Sequence, residues 1–214
     1  MFNLKNKKVL ITTGGTREYI DPVRFITNKS SGKMGIALAD TAYSLGAEVI
    51  LLSTINIKKD YKIINVETSL EMYEEVHKHF NNCDFLIMTA AISDYVPIEK
   101  SLNKIKKNEE FLTLKLKKSI DILKSLIILK QKQIVVGFCA ETENLLENAQ
   151  KKLLEKKLNF IIANDVSRSD IAFDSENNEV YILTNKEKPL FLEKQSKTEL
   201  SLKIWNYIIE KNPL

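Results

Sequence analysis

Lys8-Val9-Leu10-Ile11-Thr12-Thr13-Gly14-Gly15 reads as a buried β-strand that stops on two glycines. Shortly after it, Asn28-Lys29-Ser30-Ser31-Gly32-Lys33-Met34-Gly35 leads into an amphipathic run, which predicts a helix over 33–45 ending at Gly46. Strand, glycine turn and helix together open a Rossmann-like βαβ unit. Four of the six glycines fall between positions 14 and 35, so these turns are where backbone must come close to something. Helix N-termini present free N–H groups and a positive dipole end, and an anion, above all a phosphate, is the expected guest. Ser30 and Ser31 are placed to cap the helix, to donate to that anion, or both. The plainer alternative is a tight strand–helix packing turn without a ligand. The spacing fits neither G-x-G-x-x-G nor the P-loop, which disfavours an ordinary dinucleotide fingerprint.

Outward from that unit, 48–53, 61–66, 84–90, 133–138 and 159–163 read as strands, and 70–80, 120–129 and 143–157 as helices. This alternation predicts an α/β, Rossmann-like three-layer fold with a mainly parallel sheet. Past Asn164 the pattern changes to a β-hairpin, 179–184 with 189–193 around Asn185-Lys186, and a closing helix over 198–210. The hairpin region is the expected dimerisation element. A polar, Lys-rich stretch at about 92–110 has no clear period and few apolar anchors, and reads as a mobile flap. With no internal repeat and no linker, residues 1–214 read as a single domain.

The chain of 214 residues is 44% hydrophobic and 28% charged, with 4 prolines and 2 cysteines. That composition excludes disorder as the main state and low-complexity classes. Its apolar runs are far short of the ~20 residues that cross a bilayer. Residues 1–8 are polar and basic, unlike a secretory leader. Cys83 and Cys139 lie far apart, with only His79 near either, which falls short of a zinc site and suits a reducing, cytoplasmic setting. Of 32 basic residues only Arg17, Arg24 and Arg168 are arginine, so the net charge of +4 describes a solvated lysine surface rather than a nucleic-acid reader. His77 and His79 sit in a Lys- and Glu-rich helix end and read as surface residues.

Three blocks carry a specific resemblance: Ile11-Thr12-Thr13-Gly14-Gly15-Thr16-Arg17, Asp21-Pro22-Val23-Arg24-Phe25-Ile26-Thr27-Asn28 continuing through Gly35, and Ala90-Ala91-Ile92-Ser93-Asp94-Tyr95. Asn103-Lys104-Ile105-Lys106-Lys107, Val136-Gly137-Phe138-Cys139-Ala140-Glu141-Thr142 and Ala163-Asn164-Asp165-Val166 continue it in order. The chain resembles phosphopantothenate–cysteine ligase over nearly its whole length, in the bacterial stand-alone form without a decarboxylase half. The resemblance implies that phosphopantothenate is joined to L-cysteine in coenzyme A synthesis. It also implies CTP as activator of the carboxylate, an acyl-cytidylate formed with release of pyrophosphate, and displacement of CMP by the cysteine amine. Such chemistry asks for charge stabilisation more than for an acid–base pair.

The same resemblance implies roles residue by residue. Asn28 matches the catalytic asparagine, and Lys104 the flap lysine that closes on the phosphates. Gly14, Ser30, Gly32 and Gly35 are expected under the polyphosphate. Ala90, Ala91, Asp94, Asp121, Ile122, Phe138, Lys152, Lys156 and Asn164 are expected around the rest of the nucleotide. By itself Asn28 reads as a helix-approach asparagine with a capping role, Lys104 as one solvated lysine among many, and Ala90, Ala91 and Phe138 as core. Family relatives carry Asn-Pro-Asp-Ile where this chain has Ser119-Ile120-Asp121-Ile122, so the proline's fixed turn is gone. Mg²⁺ is implied as cofactor, with CTP as co-substrate and no metal ligands visible in the sequence. A homodimer and a separate decarboxylase partner are implied as well, with neither nucleic acid nor membrane. The competing readings are the same ligase using ATP, an NAD(P)-dependent reductase with Tyr207 and Lys211 as its only Tyr-x-x-x-Lys pair, and a non-catalytic nucleotide-binding module.

Overall fold

The computed structural model describes residues 3–107, 110–167 and 175–212. Arg168, positions 108 and 109 of the expected flap and the extreme termini lie outside the described residues. β1 (Lys8–Thr13) is flanked in parallel by β4 (Glu48–Ser53) and by β6 (Phe85–Met88). β5 (Lys62–Asn65) extends the sheet past β4; β9 (Ile134–Glu141) and β10 (Phe160–Asp165) extend it past β6, all in parallel. β11 (Asn177–Leu183) and β12 (Leu190–Ser196) close the far edge as an antiparallel hairpin. The order β12-β11-β10-β9-β6-β1-β4-β5 reverses direction between β1 and β6. Open α/β sheets hold ligands at the carboxyl ends of such a pair.

Period-two alternation along β1 sends Val9 and Ile11 to one face and Leu10 to the other. The first face packs under α1 (Lys33–Ser44) and α5 (Lys197–Lys211), where fully buried Trp205 donates its indole N–H to the Leu38 carbonyl at 2.9 Å. The second face packs under α2 (Ser69–Phe80), α3 (Ile122–Ser125) and α4 (Leu145–Glu155). The chain is therefore a three-layer α/β fold with a mainly parallel sheet, as the alternation of elements predicts.

Three local readings change. The helix expected over 120–129 shrinks to the four residues of α3; beyond it the chain tightens into i→i−3 turns, the Leu126 and Ile127 amides donating to the Leu123 and Lys124 carbonyls at 3.3 Å each. Two antiparallel ribbons escape the sequence pattern. One pairs β2 (Arg17–Tyr19) with β3 (Phe25–Thr27), and the other pairs β7 (Tyr95–Pro97) with β8 (Leu116–Lys118). Three-residue strands are too short to display a period of two. His77 and His79 are half-buried rather than surface residues. His77 meets the Ser125 hydroxyl at 2.8 Å and stacks on Tyr73, joining α2 to α3, and burial lowers its pKa. Among the described residues no helix is long and apolar enough to cross a membrane.

Candidate functional site

The ends of β1 and β6 are laced together by short side chains. Thr12 accepts the Ala90 amide on its hydroxyl at 3.1 Å, and Thr13 donates its own to the Gly32 carbonyl at 2.8 Å. The Ala91 amide donates to the Gly14 carbonyl at 2.8 Å. Glycine is required where this lacing leaves no room. At Gly14 the backbone sits at φ +86° and a Cβ would lie 2.1 Å from the Thr54 hydroxyl oxygen. At Gly35 a Cβ would lie 2.4 Å from that of Thr89. Left-handed Gly32 is the N-cap of α1, and no side chain among the described residues caps the helix. The Ser30 hydroxyl accepts the Gly32 amide at 3.4 Å instead. The capping roles expected of Ser30, Ser31 and Asn28 are thus not the ones the structure uses.

Two adjoining cavities open over this junction. A small one of about 140 Å³ is lined by Ser30, Ser31, Gly32, Gly35, Asn164, Asn178 and Lys197. A larger cleft of about 540 Å³ is lined by Asn28, Lys29, Asp121, Ile122, Lys152 and Lys156. Ala90, Ala91, Phe138 and Cys139 form the wall they share. Twelve of the residues singled out by sequence therefore converge on one place, with buried Gly14 beneath them. Lys104 and Asp94 line neither cavity. Both are exposed, and Asp94 is held by its carbonyl, which accepts the Ser119 amide at 2.9 Å. Tyr207 and Lys211 both bond Glu187, beside Phe160 at the start of β10. They lie at the opposite end of the sheet from the glycine turns.

The large cleft is a charged groove in which two of the lysines are paired with carboxylates. Lys152 meets Glu141 at 2.5 Å, and Lys156 meets Asp121 at 3.0 Å. Burial alone would lower the pKa of Lys152, but the Glu141 carboxylate outweighs it and holds the pKa above the ordinary lysine value. Asp121 also caps α3 by accepting the Lys124 amide at 3.1 Å, which sets the turn in place of the missing proline. Asn28 donates from Nδ2 to the Ile92 carbonyl at 3.1 Å. That fixes the amide plane and leaves one N–H and the oxygen for other partners. In the small cavity the buried Asn164 Oδ1 has no hydrogen-bond partner among the described residues. Burial pushes the Cys139 thiol up to about 11, so it is no nucleophile at neutral pH. Glu141, Thr12 and Thr13 were missed by sequence reasoning; their signal was polar residues at the carboxyl ends of otherwise apolar strands. Among the described residues no group of three or more His, Cys, Asp or Glu is arranged to hold a metal ion.

This architecture, a doubly wound sheet with glycine turns at its switch point, defines a Rossmann-like α/β domain. Residues 4–211 match the family model described as the DNA/pantothenate metabolism flavoprotein C-terminal domain, and the chain belongs to that family. It is 43% identical over 205 residues to the coenzyme A biosynthesis bifunctional protein CoaBC of Bacillus subtilis (strain 168), covering 94% of this chain and 50% of that protein. The chain thus spans about half the length of this curated relative. The crystal structure of the C-terminal domain of a CoaBC protein superimposes with a TM-score of 0.82 at 40% identity, covering 99% of this chain and 98% of that one. A Cab2 mutant in complex with phosphopantothenate-cysteine shares the fold, with a TM-score of 0.76 at 19% identity over 97% of this chain and 86% of that one.

Proposed function

We propose that the chain is a phosphopantothenate–cysteine ligase of coenzyme A synthesis, acting through an acyl-cytidylate. The observation that carries the reading is the convergence of Asn28, the uncapped N-terminus of α1 and the Lys152 and Lys156 groove on one crevice at the sheet's switch point. In the first step a phosphopantothenate carboxylate oxygen attacks the α-phosphorus of CTP, and the bond to pyrophosphate breaks. In the second the cysteine nitrogen attacks the acyl carbon, and CMP leaves with the bonding electrons. The positive end of α1 takes the polyphosphate. The spare Asn28 N–H holds the acyl oxygen as its charge changes. Lys152 and Lys156 exchange their carboxylate partners for the nucleotide. The choice of CTP over ATP rests on the match of Phe138, Lys152 and Lys156 to the family's nucleotide contacts. Mg²⁺ finds no protein cage among the described residues; it belongs with the nucleotide's own phosphates and water, and no step here runs through it. Two buried free thiols, Cys83 and Cys139, suit a reducing compartment.

Incubation with phosphopantothenate, Mg²⁺ and either CTP or ATP, with and without cysteine, tests the reading. Pyrophosphate release with CTP, followed by CMP only when cysteine is added, is the expected pattern. Pyrophosphate with ATP alone would reassign the nucleotide, and neither product would defeat the ligase. We also propose a homodimer. The terminal hairpin forms the edge of the main sheet with one strongly exposed aromatic, Phe191, whereas Val23, Phe25, Tyr95 and Leu116 are exposed on the two ribbons. Light scattering of Phe191→Asp and Phe25→Asp tells which face pairs, and a monomeric parent across micromolar concentrations would rule out the dimer.

A further inference from the structure

Asp21 is an acid with no solvent exposure at all, placed at the tip of the β2–β3 ribbon. Its two oxygens accept five N–H bonds. The Val23 and Arg24 amides and the Arg24 Nε each donate at 2.9 Å, and Arg24 Nη2 donates at 2.5 Å. The fifth donor is remote in sequence: the amide of Ile105, at 3.1 Å. Arg24 completes the grip, its Nη2 donating to the Ile105 carbonyl at 2.8 Å. Both backbone groups of one residue are therefore held by one ion pair, which no neutral turn would require. Two further ties fix the same segment to the ribbon. The Ser101 amide donates to the Ile20 carbonyl at 2.9 Å, and Lys100 Nζ stands 4.8 Å from the centre of the Tyr19 ring.

We propose that Asp21 is a positioning residue, a latch that clamps the 101–105 segment, and with it Lys104, onto the ribbon whose other end is Asn28. β3 runs from this tip directly into Asn28, so the ribbon is a short rigid strut between latch and crevice. Hydrogen bonds to a buried charge are the strong kind, and five on one carboxylate leave it few other arrangements. The Arg24 guanidinium holds the Asp21 carboxyl well below the usual carboxylate range, so it stays charged at any ordinary assay pH. The role of Lys104 in turnover rests on the ligase reading; the latch does not, since it is present without ligand.

Asp21→Asn keeps the shape but sets a donor against N–H groups. In ligand-free protein, well below the melting point, trypsin cleavage after Lys104, Lys106 and Lys107 is expected to rise about tenfold or more, because cleavage follows the population of the open segment. The expected kcat falls roughly tenfold, with the CTP dissociation constant within about twofold, a split that general destabilisation would not produce. Arg24→Lys removes the reach to the Ile105 carbonyl while keeping a charge on a partly exposed side chain, and its cleavage should be intermediate. If Asp21→Asn does not fold, Arg24→Lys decides, and parental cleavage in that folded variant overturns the latch. Equal cleavage of parent and Asp21→Asn overturns it whatever the turnover. Faster cleavage with an unchanged kcat overturns the positioning role. A parent that makes no CMP defeats the ligase reading and leaves the cleavage result standing.

Discussion

Replacing Asn28 by Ala separates a chemical role from a structural one, and the structure supplies both magnitudes. Among the described residues the amide makes a single hydrogen bond, from Nδ2 to the Ile92 carbonyl at 3.1 Å, on a residue that is exposed to solvent. Loss of one neutral, water-accessible bond costs about 0.5 kcal/mol. For a chain of this length that lowers the melting point by only about 1–2 °C. No helix cap is lost, since Gly32 holds the N-cap position of α1. If the spare Asn28 N–H stabilises the acyl oxygen, its removal raises the barrier by ~3 kcal/mol, roughly a hundredfold in rate. Nucleotide affinity draws on several backbone N–H groups and lysines, so the CTP dissociation constant should move by less than about tenfold. Turnover, CTP titration and thermal melting on one Asn28→Ala sample give all three numbers. Parental turnover would refute the reasoning outright. A melting point many degrees lower would show that Asn28 holds the crevice together rather than working in it.

Gly35→Ala forces a Cβ to 2.4 Å from the Thr89 hydroxyl and 2.5 Å from that of Thr13. The expected cost is about 1–3 kcal/mol of overpacking with weakened nucleotide binding; unchanged melting would mean that α1 shifts freely. Lys104→Ala should keep the parental melting point and slow turnover at saturating CTP about tenfold or more, and undiminished turnover would leave Lys104 a surface lysine. With its thiol at about 11, Cys139 is roughly one part in a thousand thiolate at pH 8. A thiol reagent should modify it about two hundred times more slowly than free cysteine, and more slowly still with CTP bound. Modification at the rate of free cysteine would show the crevice wall to be open.

His77 sets a pH expectation. Its pKa is lowered by burial, so below about pH 6.5 the unfolded chain takes up a proton more readily than the folded one. Stability is complete above that range and declines as pH falls through it, and His77→Gln should flatten that part of the melting-against-pH curve. An identical curve for the variant would assign the decline to other groups.

Local sequence determined the strands of the main sheet and the glycine turns. Val9 and Ile11 on one side of β1 and Leu10 on the other are a covalent consequence of the strand's period of two, and the clustering of Gly14, Gly15, Gly32 and Gly35 announces close backbone approach. The ligand-facing set was legible only because motif context lifted residues whose types are unremarkable alone. Tertiary structure decided what depends on pairing across distance. β9 and β10 run on to Glu141 and Asp165 because each continues the other's ladder, and that extension brings Glu141 to Lys152. Asp121 faces Lys156 because α3 and α4 pack on the same side of the sheet. The grip of Asp21 on Ile105 joins residues 84 apart in sequence, and a carboxylate's choice of a backbone amide leaves no periodic trace in the chain. Local periodicity reports which way side chains point; which buried charge meets which donor is settled only when the layers close and each must find a partner.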